Sequence, residues 1–331
     1  MNPSLTDMPD VVLRQIFTDV GCPGIFNLRK VCPFFREFLQ KFPTDSRIPL
    51  INITIYKELM IIKLKPGIME TDGIRYSKQE THCKIRYGDS GKILENCDYS
   101  DRIFEDLEII IAHQKSVLEA LEIFCPIPVI WDTEFPETVQ RLQKVLENSR
   151  KLKVKKFYMH YSNFPRISSL LKLLDAEKIE EIATSSMIQP YENDIGIEDL
   201  VKLDHWKNAK RIKIINVPIN ASLQNFLHFE EVTVEFTRIS ADEMILVTEN
   251  LLKSTIAREF RIGYTGFENE IQFLNYLGPP RTSDDDDDET NQKIWYKRIE
   301  NSSESLFIFQ STEHNNYFNL SRIPLSRFPE N

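Results

Sequence analysis

With 41% apolar and 11% aromatic residues, the 331-residue chain can bury at least one full-sized core and has room for two or three domains, which excludes a mainly disordered polymer. Only 10 glycines are present, few for an enzyme that cradles phosphate on glycine-rich loops. The formal net charge is −9, but the five aspartates of Asp284–Asp288 and Glu289 supply six of those charges, so the remainder is near balance and disfavours nucleic acid as a partner.

Five cysteines (Cys22, Cys32, Cys83, Cys97, Cys125) are odd in number and form no CxxC pair, so neither a disulfide framework nor a zinc knuckle follows. No stretch approaches the roughly 18 apolar residues of a membrane helix, and Met1–Asp7 has neither the basic nor the apolar part of a signal peptide. The expectation is an intracellular protein, cytoplasmic or nuclear, with no membrane partner.

Residues 1–42 have helical spacing. Val12, Ile16, Phe17 and Val20 form one stripe behind Pro9, which suits a first helical position because its missing N–H would be unpaired there. Gly21, Pro23 and Gly24 break this helix. A second carries Ile25, Leu28, Val31 and Cys32, and Pro33 opens a third with Phe34, Phe35, Phe38, Leu39 and Phe42. Three short helices cannot bury that surface among themselves, and without metal or disulfide a protein partner is the remaining cover.

Met8-Pro9-Asp10-Val11-Val12, Ile16-Phe17, Leu28-Arg29-Lys30-Val31-Cys32 and Phe35-Arg36 together resemble the F-box. That family opens on Leu-Pro with an acidic residue soon after, and closes on a Leu-x-x-Val-Cys helix and an aromatic–basic pair. Met8 stands in the leucine position, which a leucine-sized pocket accepts, and Pro33 follows the cysteine between helices. The resemblance implies that Met8, Pro9, Val12, Ile16, Phe17, Leu28, Val31, Cys32 and Phe35 lie on or support the face that docks the Skp linker of an SCF ubiquitin ligase.

From Ile48 the apolar period becomes two. Ile51, Ile53 and Ile55 form one strand, Met60, Ile62 and Leu64 a second, and Cys83–Tyr87 a third that ends at Gly88-Asp89-Ser90-Gly91. This connector reads as a small antiparallel sheet ending in a helix near Asp101–Gln114. Strand-like runs then start at 121, 154, 179, 211, 232 and 260, 21 to 33 residues apart, with helix-like runs at 137–146, 167–174, 197–203, 221–226, 241–252 and 268–277. That spacing favours a β–α solenoid of the leucine-rich type over a doubly wound sheet, although the strict Leu-x-x-Leu-x-Leu signature is absent.

Phe104–Glu108, Gln114-Lys115-Ser116, Leu203-Asp204-His205-Trp206-Lys207-Asn208-Ala209-Lys210 and Phe226-Leu227-His228-Phe229 resemble the FTH domain. That domain follows F-boxes in a large nematode family of ubiquitin-ligase adaptors, so the resemblance implies protein binding and carries no chemistry. From Gly278 a Pro- and Asp-rich linker leads to two terminal strands, Ile294–Tyr296 and Leu306–Phe309.

Candidate chemistry is sparse. Gly88-Asp89-Ser90-Gly91 with Thr81-His82 is reminiscent of a serine-hydrolase loop, but a polar β-turn explains it fully. His113, His160, His205 and His228 lack metal-ligand spacing. Arg150–Lys156, followed by Phe157 and Tyr158, reads as a helix end running into a lysine-protected strand.

The expected fold is α/β: a three-helix F-box over 1–47, a β-meander connector ending in a helix over 48–113, a leucine-rich-repeat-like FTH β–α module over 114–277, and an acidic linker with terminal strands over 278–331. The expected function is a non-catalytic substrate adaptor without cofactor or metal. Its partners are a Skp linker and an unidentified target protein. The alternatives are a binding module outside any ligase, its F-box acting as a cap, and a hydrolase using Ser90.

Overall fold

Proline and glycine punctuate the N-terminal helices: α1 (Asp10–Ile16), α2 (Cys22–Val31) and α3 (Pro33–Lys41). Pro9 sits just before α1, where its carbonyl accepts Val12 N and Leu13 N. Pro23 and Gly24 fall inside the first turn of α2 instead of between helices, since a first-turn N–H has no intrahelical partner to lose.

The computed structural model describes residues 4–64, 73–80, 82–125, 134–160, 164–186, 196–281, 292–312 and 316–327. The chain divides into two compact units, Met1–His160 with Ser169–Ile179, and Tyr161–Ser168 with Glu180–Asn331.

In the first unit, β1 (Leu50–Ile55), β2 (Leu59–Lys63), β3 (Ile74–Lys78), β4 (His82–Tyr87) and β5 (Ser90–Glu95) precede α4 (Tyr99–Ala112), β6 (Leu118–Phe124), α5 (Glu134–Glu147) and β7 (Val154–His160). Their order in the sheet is β7-β6-β1-β2-β3-β4-β5. β7, β6 and β1 are parallel, and β1 to β5 form an antiparallel meander. The connector is therefore not a sheet of its own: β1 pairs with β6 as well as β2, with Ile53 opposite both Ile62 and Ile123. Asp98 caps α4 by accepting Ser100 N and Asp101 N, and the helix buries Ile103, Phe104, Leu107 and Ile110. Beneath it the Tyr76 hydroxyl donates to Asp106 at 2.8 Å, and Arg102 holds the other carboxylate oxygen.

After α6 (Phe164–Leu171), the second unit runs through β8 (Glu181–Ser185), α7 (Glu198–Val201), α8 (Asp204–Asn208), β9 (Arg211–Ile219), β10 (Glu231–Ser240), α9 (Ala241–Lys253), β11 (Glu259–Glu268), α10 (Glu270–Leu277), β12 (Gln292–Arg298), β13 (Glu304–Ser311) and β14 (Tyr317–Pro324). β8 to β11 lie side by side in parallel. β14, β13 and β12 then continue antiparallel from β11. On β10, Val232, Val234 and Phe236 are buried while Thr233 and Glu235 face the other way, the period-two pattern of a sheet covered on one side. Ser240 and Glu243 form a reciprocal capping box that starts α9 where β10 ends.

This is a mixed α/β fold with N-terminal helices followed by strands and β–α repeats. It differs from expectation in detail. The 197–203 helix is split into α7 and α8, 221–226 holds a 3₁₀ turn at Leu223–Phe226, and three terminal strands stand where two were expected. The acidic run 284–289 lies outside the described residues. No described helix is long and apolar enough to cross a membrane.

Candidate partner-docking face

Two four-residue pairs interleave on α1. Leu13 and Phe17 are buried (0% and 2% exposed), whereas Val12 and Ile16 stand 41% and 44% exposed. The helical core closes on the inward pair with Ile25, Phe35, Phe38 and Leu39, and Met8, Leu28 and Cys32 pack half-buried against it. Phe17 meets Phe35 and Phe38 edge-on, with ring centroids 5.7 and 5.8 Å apart. Phe17 and Phe35 thus support the helices from within. Pro9, Val12, Ile16 and Val31 (67% exposed) are at the surface, with Val11 (73%) and Phe34 (38%) beside them in sequence. So many large apolar side chains left in water on three short helices make them the candidate docking surface. Leu13 was missing from the sequence stripe because i, i+4 spacing fits both pairs.

A hydrogen-bonded latch ties these helices to the first unit's sheet. The segment 44–48, between α3 and β1, meets residues 113–116, between α4 and β6. Gln114 accepts from Ile48 N and Ser46 Oγ, both at 2.9 Å, and donates to Ile48 O at 3.1 Å. Asp45 accepts from Lys115 N at 3.0 Å and from Ser116 N at 3.1 Å. Burial works to raise the Asp45 pKa, but the N–H groups of Ser116, Lys115 and Arg47 outweigh it and hold the carboxyl below its ordinary range. His113 Nδ1 accepts from Thr44 N at 3.1 Å, and burial pushes this histidine down to about 4.

The distinctive Trp206 block is also structural. Trp206 is buried against Phe226 and Phe229, with centroids 5.3 and 5.1 Å apart, and donates its indole N–H to Asn225 O. His228 bonds Trp206 O at 3.0 Å. Ser90 is exposed at the β4–β5 turn, while His82 sits at the far end of β4 opposite Glu95, roughly 16 Å along the strand. The two are not brought together, so the hairpin holds no serine–histidine pair. Within the basic stretch, Lys155 pairs with Glu119 at 2.8 Å across β7 and β6. The second unit has a cavity of about 330 Å³ whose lining includes Arg261, Tyr317, Glu235 and Asn216. With one cation and one carboxylate it favours neither charge of ligand.

The N-terminal helices combine a buried aromatic core with exposed apolar side chains. The F-box domain model matches residues 5–47, which hold those helices, and the FTH domain model matches residues 136–280. The chain carries an F-box and an FTH domain. Over 287 residues it is 21% identical to F-box A protein 224 of Caenorhabditis elegans, covering 85% of this chain and 72% of that one.

Proposed function

We propose that the protein is a substrate-recognition adaptor of an SCF-type ubiquitin ligase. F-box domains in general bind the Skp linker of such ligases, and F-box proteins are in general non-catalytic adaptors. The observation that carries the reading is the exposed apolar set Val12, Ile16, Val31 and Phe34 on helices whose inward faces are already filled. Such side chains pack into a partner's groove, with the surrounding polar residues fixing register. The FTH-containing part takes the target protein and so raises its effective concentration near a ubiquitin-loaded enzyme.

Co-expression of the full chain with a Skp linker and a cullin scaffold tests this. A ternary complex that co-elutes from a sizing column is expected, and an Ile16→Asp/Val31→Asp variant should elute apart from the other two. If wild type also elutes apart, the chain is a binding module outside any ligase.

A further inference from the structure

We propose that the free edge of β5 binds an extended acidic segment of a partner protein, which adds to the first unit's sheet as a further strand. This deepens the adaptor reading by naming the chemistry of one target segment, and its test needs no Skp linker.

β5 ends the first unit's strand order, and among the described residues no strand pairs with its outer side. The turn before it has Gly88 at φ 55° as its first central residue, as a two-residue II′ hairpin turn requires, and it closes on Tyr87 opposite Ser90. In an antiparallel strand, alternate residues bond inward and outward. With Tyr87 and Ser90 bonded to each other, Gly91, Ile93 and Glu95 present their N–H and C=O groups to the free edge. An unpaired row of this kind is a template for another strand unless something blunts it. β5 contains no proline, and no register shift interrupts its pairing with β4.

Apolar exposure in the first unit coincides with this edge. Among the described residues outside the N-terminal helices, its two exposed large apolar side chains are Tyr87 (57%) and Ile93 (56%), both on this hairpin. They give an added strand an apolar contact on each face, because Ile93 lies opposite Lys84 and on the other side of the sheet from Tyr87.

Charge selects the occupant. The face carrying Ile93 also carries Lys84 and Arg86 on β4 and Arg75 on β3, against one carboxylate on these three strands, Glu95 at the far end of β5. Arg86 leans toward its bare partner: its Cγ lies 3.3 Å from where a Cβ on Gly91 would stand. With no side chain on Gly91 between them, an acidic residue on an added strand opposite Gly91 could pair with Arg86. In a chain of net charge −9 this is a local reversal of sign. A second copy of this chain offers only Glu95 as an acidic side chain at its own β5 edge, and an edge so occupied would leave the peptides unbound.

The test is fluorescence anisotropy of the full chain with three labelled probes: a capped ten-residue peptide alternating threonine and glutamate, its threonine–glutamine counterpart, and a single-stranded oligo-dT. The glutamate peptide should bind at least ten-fold tighter than the glutamine one and weaken as salt rises. Arg86→Glu should remove that difference. Ile93→Pro, which deletes an outward N–H and spares the β4 ladder, should weaken both peptides at least ten-fold. Thermal unfolding of both variants checks their fold, and exposed Arg86→Glu serves alone if Ile93→Pro melts early. Equal binding of the two peptides, no peptide binding, undiminished binding by folded Ile93→Pro, or Arg86-dependent binding of oligo-dT in place of the peptide would each overturn the proposal. None of these results bears on ternary-complex assembly.

Discussion

Val12 and Leu13 are neighbours of similar size on one short helix, yet one touches water and the other the core. Substituting each by alanine therefore separates folding from docking. Leu13→Ala should cost about 2–5 kcal/mol, because it opens a cavity among Phe17, Ile25 and Phe35. Val12→Ala should stay within about 0.5 kcal/mol. Paired urea titrations check this, and equal costs would mean that α1 turns a different face inward. At this scale the sequence told which residues were apolar and helical. It could not tell which side of α1 faced in, because that depends on Ile25 and Phe35 arriving from other helices. The family-like Gln114 and Trp206 blocks were conspicuous in sequence, and both proved to be internal fastenings rather than ligand-binding groups.

At the level of elements, strands covered on one face were legible from alternation, as β1, β9 and β10 were. Those that escaped notice had weaker signals. β5 is exposed along nearly its whole length and has no apolar face to display, and β3 buries only Tyr76. β14 alternates Phe318 and Leu320 in a short stretch that β11 and β13 complete from distant sequence. The latch joining the helices to the sheet was equally hidden, since its bonds span 66 to 71 residues.

The latch has a pH signature. His113 is buried beside Thr44, with Arg29 and Lys115 also opposing its protonation, so its folded pKa of about 4 lies below the unfolded value near 6.5. The unfolded chain then binds the extra proton between those values. Stability should be full above about pH 6.5 and fall as pH drops toward 4, by about 2 kcal/mol at pH 5. Asp45, whose folded pKa is also depressed, adds its loss only below the ordinary carboxylate range. Urea unfolding at pH 7 and pH 5 should show this loss in wild type and much less of it in His113→Gln. An equal loss in both would assign the acid sensitivity elsewhere.

On the scale of the whole molecule, the composition left no distinctive chemistry in view, and what distinguishes the chain is surface left uncovered. Among the described residues, two such surfaces are the exposed apolar side chains of the N-terminal helices and the β5 edge with its cations. The proposed adaptor has to hold two partners at once, and these two exposed features are the candidates offered for them. The helical face bears most directly on the account. The decisive measurement is the affinity of the purified full chain for a Skp linker, by titration calorimetry, for wild type and for Ile16→Asp/Val31→Asp. The account predicts saturable one-to-one binding that the double variant weakens at least 100-fold, about 2.7 kcal/mol or more, while its unfolding midpoint stays within a few degrees of wild type. Equal affinities for the two proteins, or no heat of binding from a folded wild type, would contradict it.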